Sequence, residues 1–339
     1  MAAWLSTRTP AASTCWPKRT EALETNFQSK PLSSREAAFF MIMIRILLIV
    51  LLAVSATACL RERALGPPKA VAVADDGRLE LKLMSFNIRY ENAEDVGNRA
   101  WPQRVPGAVR MIRDEAPDVI GVQEALHGQA ADLWASLPDY EFFGAGRDDG
   151  RRSGEYAGIF FLRDRFEPDV SESGTFWLSD TPQQPGSKTW GNGIPRTVTW
   201  LRLVDRSTQR GFYVFNTHWD HKHQGSRERS AMLLAERIGK RKHPEQPVVL
   251  LGDLNAVEKN PGVAGLAREA RLIDTFQQRH PAEPARTTLH FWRGNRAGLL
   301  KVDYIMVSEG AEVLTAGIRD QDQPMVSDHF PVTARVLFP

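Results

Sequence analysis

Six short segments of the sequence each combine an apolar run with Asn, Glu, His or Asp at or near its end. They are residues 85–89, 122–124, 216–221, 252–255, 302–305 and 327–329. Taken singly, an Asp or Asn at the end of a buried strand is typical of a turn or a helix cap. Six such endings in one chain indicate loops that present polar side chains to a common cleft.

The side chains of these segments are rich in hard oxygen donors and contain no thiol. The oxygen donors are Asn87, Glu124, Asp253, Asn255, Asp303 and Asp328. Such donors favour Mg²⁺, with Mn²⁺ or Ca²⁺ as alternatives, over Zn²⁺, and Mg²⁺ commonly completes its shell with water and substrate phosphate. His218 and His329 stand close to carboxylates in the sequence and suit general acid–base chemistry. The segments therefore predict a divalent-metal site with groups for proton transfer.

The sequence lacks the signatures of several other classes of protein. The sequence has no Gly-x-Ser-x-Gly elbow, no phosphate-binding P-loop and no dinucleotide-binding glycine fingerprint. The 339 residues are 42% hydrophobic and 25% charged, which is typical of a globular protein and excludes a polytopic membrane protein. Residues 60–339 contain 37 basic and 38 acidic side chains, and this net charge of −1 gives no support for non-specific nucleic-acid affinity.

The elements that must position these segments alternate between strands and helices. A first strand begins at Leu79, with Leu79, Leu81 and Leu83 alternating with Glu80, Lys82 and Met84. Apolar or alternating runs predict further strands at residues 118–123, 140–144, 157–162, 196–204, 211–217, 247–251, 304–307, 311–318 and 332–337. Helical spacing predicts helices at residues 104–115, 126–136 and 226–240. This mixture, without a break in composition, predicts one α/β domain.

An apolar segment precedes this domain. Arg45, the apolar run 46–54 and the small residues 56–58 before Cys59 are typical of a bacterial secretory signal and resemble a lipoprotein processing site. The apolar run is short for a membrane span, which needs about 20 residues, although an uncleaved anchor helix is the alternative.

The expected organisation has four parts. They are a mis-annotated or disordered extension at 1–40, the signal at 41–59, a linker at 60–78 and the folded domain at 79–339. The expected location is periplasmic, anchored in the membrane through lipid on Cys59, or secreted.

The order of the six segments resembles that of the endonuclease/exonuclease/phosphatase superfamily. The matching motifs are Asn87 after the first strand, Gln123-Glu124, Asn216-Thr217-His218, Gly252-Asp253-Leu254-Asn255, Asp303-Tyr304-Ile305 and Ser327-Asp328-His329. Together they extend over nearly all of the chain from Leu81 to Pro339. Residues 87–90, 146–150, 181–188 and 194–196 are similar to an exported bacterial branch of metal-dependent hydrolases.

This resemblance implies a fold and a set of roles. The implied fold is a four-layer α/β sandwich, in which two central mixed β-sheets are flanked by helices. The implied metal ligands are Asn87, Glu124 and Asp328. The implied catalytic residues are His218, Asp253, Asn255, Asp303 and His329. Asp303 would orient His329 from within about 3.2 Å, and Glu155 would orient His218.

Basic and aromatic side chains near the segments are candidates for substrate contacts. Arg147 and Arg196 suit phosphate oxygens, with a solvated charged loop as the alternative. Trp219 and Trp292 are candidates for stacking on a sugar or base, with core packing as the alternative. A second metal at the His-Lys-His run 221–223 competes with the simpler interpretation of a solvated loop.

The expected function is that of an exported, divalent-metal-dependent phosphoesterase. It would act as a monomer and hydrolyse a phosphate ester or diester of a small molecule or glycan by in-line attack of water. Three alternatives stay open: an extracellular nuclease on DNA or RNA, a sphingomyelinase-like phosphodiesterase, and a non-catalytic binding protein on the same fold.

Overall fold

Two six-stranded β-sheets form the centre of the structure. A computed structural model describes residues 77–282, 286–294, 300–320 and 324–339. Its strands are β1 (Leu79–Asn87), β2 (Val119–Ala125), β3 (Tyr140–Phe143), β4 (Tyr156–Leu162), β5 (Phe166–Trp177), β6 (Thr197–Asp205), β7 (Gly211–His218), β8 (Val248–Asp253), β9 (Leu272–Asp274), β10 (Asp303–Ser308), β11 (Glu312–Ile318) and β12 (Val332–Phe338). One sheet has the order β11-β12-β1-β2-β4-β3, and the other has the order β5-β6-β7-β8-β10-β9. Both sheets are mixed, because β1 and β2 are parallel, β7 and β8 are parallel, and neighbouring pairs such as β1 with β12 are antiparallel.

Four of the described helices pack on the outer faces of the sheets: α1 (Trp101–Glu115), α2 (His127–Ser136), α3 (Gln224–Gly239) and α4 (Pro261–Glu269). The short α5 (Thr275–Arg279) contributes Phe276 to the core between the sheets, and a 3₁₀ turn spans Gly97–Arg99. Two of the helix starts have a clear local cause. The Asn260 side chain caps α4 and is followed by Pro261, which fits the first helical position, and the Asp274 side chain caps α5.

Three apolar clusters hold the layers together. Between the sheets, residues such as Leu83, Val214 and Leu251 form the central core. A second cluster joins α1 and α2 to the first sheet, and a third joins α3 and α4 to the second sheet. The order helix, sheet, sheet, helix is the predicted four-layer α/β sandwich, and that prediction is confirmed.

The first strand shows why alternation alone understates burial in such a fold. Met84 and Phe86 alternate with the inward-facing leucines, yet both are fully buried, because α1 and α2 cover the outer face of β1. A strand that is covered on both faces has no solvated side on which polar residues are needed.

Besides the 3₁₀ turn, four of the described strands and helices were absent from the sequence prediction: β5, α4, β9 and α5. β5 is long but irregular, since its pairing with β6 shifts register between Asp169 and Ser173, which breaks the alternation of apolar residues. β9 and α5 are too short to show a period.

The predicted signal segment and Cys59 lie outside the described residues. Among the helices that the structure describes, none has the length and apolarity that crossing a membrane requires.

The two sheets approach each other closely near Gly121 of β2. A Cβ atom at this position would lie 2.7 Å from Leu251 Cβ and 2.8 Å from Asn216 Oδ1, so no other side chain fits without displacing its neighbours. β1, β7 and β8 end on the same side of the sandwich as Glu124 of β2, and β10 begins there with Asp303 paired to Asp253. The predicted polar segments are thereby collected at one edge.

Asn216 bonds the two sheets together just below this edge. Its Nδ2 donates to the carbonyl oxygens of Val122 at 2.9 Å and Gly158 at 2.7 Å, and its Oδ1 accepts from Gln123 Nε2 at 2.7 Å. Asn216 and Gln123 are fully buried. The Asn of the Asn-Thr-His motif, Asn216, therefore has a structural role: it joins the two sheets by hydrogen bonds.

We expect Asn216→Ala to lower the free energy of unfolding by about 2–4 kcal/mol, because it leaves buried hydrogen-bonding groups without partners. Urea denaturation of the purified protein measures this change. Asn98→Ala, at an exposed position, is the control and should change the free energy of unfolding by less than about 0.5 kcal/mol. Equal stability of the two variants would contradict the structural role.

Candidate active site

Asn87 connects the two sheets at the edge where the polar segments meet. Its Nδ2 donates to Glu124 Oε1 at 3.1 Å and to Asp253 Oδ2 at 3.0 Å. Asn87 ends β1 in one sheet, and Asp253 ends β8 in the other. Two carboxylates from different sheets are therefore held on one amide group.

Left-handed backbone conformations turn several residues toward this edge. Glu124 has a φ of 61°, Arg89 a φ of 58° and Asn255 a φ of 47°. Glu124 lies where the pairing of β2 with β4 shifts register, and its Oε2 accepts from the Tyr90 backbone N–H at 3.2 Å. Non-glycine residues in this region of backbone space are strained and cluster at functional sites.

His329 is paired with Asp303 in the manner that the sequence predicts. Its Nδ1 lies 2.8 Å from Asp303 Oδ2, within the predicted 3.2 Å, and both residues are buried. Burial by itself lowers the pKa of His329, but the negative charges of Asp303 and Asp253 outweigh it and raise the pKa well above its usual value. His329 is therefore a buried imidazolium.

His218 approaches Asp253 from the other side, and its imidazole is neutral where that of His329 is protonated. Its Nε2 lies 3.6 Å from Asp253 Oδ2, and its Nδ1 lies 3.6 Å from Glu155 Oε2. Glu155, the residue predicted to face His218, also pairs with Arg147. Burial, followed by the positive charge of Arg196, lowers the pKa of His218 to about 3, so its imidazole is neutral at pH 7.

Asp253 is the carboxylate that these two histidines share. Its Oδ2 lies 3.9 Å from His329 Nε2 as well as 3.6 Å from His218 Nε2, while its Oδ1 accepts from the Asn255 backbone N–H at 2.8 Å. Burial and then the charge of Asp303 raise the pKa of Asp253. A carboxylate of raised pKa is a stronger proton acceptor than an ordinary one.

The donor chemistry of the edge fits a hard divalent cation. Donor atoms of Glu124, His218 and Asp253 lie within 4.8 Å of one another, as do those of Asp253, Asp303 and His329. Within the described residues, Asp303 Oδ1 is buried without a hydrogen-bond partner. A buried carboxylate with one unbonded oxygen gains stability when a cation is added beside it.

The three predicted metal ligands occupy different positions in this set. Asp328 is buried, burial raises its pKa, and its Oδ2 lies 3.8 Å from Arg89 Nη1. Glu124 is only partly buried and has its carboxylate toward Asn87. Asn87 donates to Glu124 and Asp253, while its Oδ1 accepts from the Arg89 backbone N–H at 3.0 Å, so the amide orders carboxylates here.

Arg196 and Arg147 lie on the His218 side. Arg196 is buried, its Nη2 contacts His221 Nδ1 at 2.9 Å, and its Nε lies 3.8 Å from Asp220 Oδ2. Neither Nε nor Nη1 of Arg196 has a hydrogen-bond partner among the described residues, and the same is true of Arg147 Nε. Buried guanidinium N–H groups without partners suit the oxygens of a phosphate.

The histidines of the 221–223 run have other partners. His221 contacts Arg196, and His223 Nδ1 accepts from the Ser226 backbone N–H as the cap of α3. A second metal at this run has no support in the described part of the chain.

The aromatic candidates differ from expectation. Trp219 is fully buried among core residues around α3 and α4, so it offers no ring face to a substrate, and the stacking prediction for it is wrong. Trp292 is half-buried, with its ring centroid 5.4 Å from the Arg99 guanidinium and 5.8 Å from that of Arg104. The exposed aromatic of this loop is Phe291, at 51% exposure.

Arg89 and Arg104 were not predicted as site residues. Arg89 lies within the first segment, 85–89, which was a signal for its proximity to the site. Arg104 stands within the predicted helix, where nothing in its spacing distinguishes it from a solvated arginine.

The fold and the site are those of the endonuclease/exonuclease/phosphatase class of proteins. The sequence model of the Endonuclease/Exonuclease/phosphatase family matches residues 84–329, and the chain belongs to that family.

Solved structures agree with this assignment. An endonuclease/exonuclease/phosphatase from Bacteroides vulgatus is 32% identical, with a TM-score of 0.71 over 76% of this chain and 98% of that one. A mannosyl-6-phosphatase from Bacteroides thetaiotaomicron is also 32% identical, with a TM-score of 0.68 over 76% of this chain and 100% of that one. The human Nocturnin catalytic domain, at 18% identity, a TM-score of 0.60 and 76% and 96% coverage, shares the fold alone.

The different protonation states of His218 and His329 are testable in the metal-free protein. We expect NMR titration with a chelator present, from about pH 5 to about pH 9, to find His218 neutral and His329 charged at pH 7. Asp303→Asn should lower the pKa of His329, because burial then dominates, and leave His218 neutral. Two imidazoles that both titrate near about 6.5 would contradict the assignment.

The same shift of His329 has a stability consequence. Its pKa is higher in the folded than in the unfolded protein, so its contribution to stability is fully present below about pH 6.5. That contribution is lost as the pH rises through the folded-state pKa.

Proposed function

We propose that this protein is a divalent-metal-dependent phosphoesterase that hydrolyses a phosphate monoester on a small molecule or glycan. The observation that carries the proposal is the position of Asp253 between a neutral His218 and a charged His329, at 3.6 Å and 3.9 Å. This arrangement supplies a proton acceptor, a cationic donor and a separate neutral imidazole within one small site.

In this mechanism Glu124 and Asp328 would hold the cation, and Asn87 keeps the Glu124 carboxylate in place. When bound, the cation would neutralise charge on the phosphate oxygens. Asp253 Oδ2 accepts the proton of the attacking water as the oxygen of that water bonds to phosphorus, and Asn255 helps to orient the water. The bond between phosphorus and the ester oxygen breaks on the opposite side, and the ester oxygen takes a proton from solvent water, so that the products are the alcohol and inorganic phosphate. His329 Nε2–H donates to a phosphate oxygen, because Asp303 occupies the Nδ1 side of the ring.

The substrate class is supported by the similarity to the mannosyl-6-phosphatase, which covers that chain completely at 32% identity. A phosphorylated sugar has a terminal phosphate suited to the unbonded N–H groups of Arg196 and Arg147. Its ring also has an apolar face suited to the exposed Phe291. The near-neutral charge of residues 60–339 does not favour a nuclease.

A substrate panel with Mg²⁺ and with chelator tests the proposal. We expect inorganic phosphate to be released from mannose 6-phosphate or another sugar monophosphate, and this release to stop with chelator and return with Mg²⁺ or Mn²⁺. Supercoiled plasmid, bis(p-nitrophenyl) phosphate and sphingomyelin represent the nuclease and diesterase alternatives. Preferential turnover of one of these three, or full activity in chelator, would overturn the proposal.

The two histidines should each be needed for turnover. We expect His329→Ala and His218→Ala to lower kcat by about 10²–10⁴-fold, because each removes a positioned proton-transfer or charge-stabilising group. His243→Ala is the control, since His243 lies before β8 begins, at the end away from Asp253, and it should retain wild-type kcat. Circular dichroism establishes that all three variants are folded, and a folded His329→Ala of normal kcat would exclude the assigned role.

We also propose that the protein is exported and anchored through Cys59, on the basis of residues 41–59. Expression from Met41 in a bacterial host should give a membrane-associated product that incorporates labelled fatty acid. Cys59→Ala should abolish the label and release the signal-cleaved product from the membrane fraction. Equal membrane association of both forms after signal cleavage would contradict the anchor.

A further inference from the structure

Arg104 is a buried cation that the catalytic scheme does not use. It lies on α1, is 1% exposed, and donates to four backbone carbonyl oxygens. Its Nε donates to Arg99 O at 2.6 Å, its Nη1 to Ile88 O at 2.6 Å and to Val326 O at 2.9 Å, and its Nη2 to Arg89 O at 2.9 Å.

Three of these four carbonyls, those of Ile88, Arg89 and Val326, belong to the two segments that present the metal-ligand candidates. Ile88 and Arg89 directly follow Asn87, and Val326 stands two residues before Asp328. Ser327 joins the same segments, because its hydroxyl donates to Asn87 O at 2.7 Å. Ile88 and Val326 come from distant parts of the chain and converge on a single nitrogen of Arg104.

The charge of Arg104 has no direct carboxylate partner. No ion pair to Arg104 occurs among the described side chains, and burial lowers its pKa to about 10, although the charges of Asp95 and Asp328 oppose the shift. Keeping an arginine charged in such a place is costly. Four short bonds to carbonyls, which a neutral side chain could not all make, account for its presence.

The same guanidinium also has an aromatic environment. The ring centroids of Trp101 and Trp292 lie 5.1 Å and 5.8 Å from it. The loop of Trp292 is itself bonded to the segment of Asp328, because the His290 backbone N–H donates to Asp328 O at 2.9 Å. Arg104 is thus a common contact of three segments: 88–89, 326 and the Trp292 loop.

We propose that Arg104 is a positioning residue that fixes the separation of Asn87 and Asp328 and thereby sets the affinity for the divalent cation. The inference rests on the metal dependence in the proposed function. Arg104 touches neither substrate nor cation, and it acts through the backbone that adjoins Asn87 and Asp328. Residues that orient metal ligands typically change metal affinity by about 10–100-fold when they are replaced.

Lysine is the informative replacement. It keeps the positive charge but places its donors on one atom, so it cannot bond carbonyls on three sides as the guanidinium does. If Arg104 acted only through its charge, Arg104→Lys would bind metal normally. If it acts by fixing the loops, Arg104→Lys should bind metal weakly.

The direct test is titration of the whole protein with Mn²⁺ in the absence of substrate, with binding measured by isothermal titration calorimetry. We expect Arg104→Lys to raise the Kd for Mn²⁺ by about 10–100-fold, and kcat to recover to near wild type at saturating metal. Ser327→Ala, which removes the bond to Asn87 O, should raise the Kd in the same direction and serves if Arg104→Lys does not fold.

Arg241→Lys is the matched control. Arg241 is half-buried and also donates to backbone carbonyls, those of Ile238, Pro244 and Gln246, at the start of β8 and away from the site. It should lower thermal stability without changing the Kd for Mn²⁺.

Three results would overturn the inference, and they are distinguishable from one another. Wild-type protein that binds Mn²⁺ while folded Arg104→Lys or Ser327→Ala binds it equally well contradicts the role of Arg104 alone. An equal rise in Kd for Arg241→Lys does the same, because it would show general destabilisation. Wild-type protein that binds no divalent cation contradicts the proposed function and, with it, this inference.

Discussion

The amide of Asn87 is the contact on which the rest of the site depends. It holds Glu124 from one sheet and Asp253 from the other on a single Nδ2, at 3.1 Å and 3.0 Å. Like charges buried this close repel each other, and a bound donor offsets part of that cost. Asp253 is consequently fixed where both histidines reach it, and Glu124 is fixed where a cation is needed. The backbone around Asn87 is in turn bonded to Arg104 and Ser327, so the contact between the carboxylates is set by the way in which distant segments meet.

Two histidines of similar burial have different protonation states because their nearest partners differ. His329 has a carboxylate at hydrogen-bond distance, 2.8 Å, whereas His218 has carboxylates only at 3.6 Å and two guanidinium groups that raise the local potential. Burial acts in the same direction on both. The direct bond from Asp303 outweighs it for one ring, and nothing of equal strength opposes it for the other. One type of side chain can therefore supply a cationic donor and a neutral imidazole on either side of Asp253.

Much of this arrangement was visible in the sequence, and the parts that were not share a physical cause. The motif endings and the apolar runs of β1, β7 and β8 are local signals, and they place Asp253, Asp303 and His329 correctly at one edge. The layer order followed from the resemblance to a family. The burial of Met84, Phe86 and Trp219 depends on which helices cover the outer faces of the sheets, and spacing in the sequence does not carry that information. Arg104 was invisible for the same reason: its four acceptors come from segments that meet only in the folded chain.

The close approach of the sheets at Gly121 limits how such a protein can diversify. Because a Cβ there would press on Leu251 and Asn216, the width of the sandwich beneath the reactive groups behaves as a fixed dimension. New substrate preferences over evolutionary time must then come from the rim, by exchange or lengthening of loops such as the one that bears Phe291. Proteins with this fold can in this way share an almost unaltered floor of the site and still differ in what they bind above it.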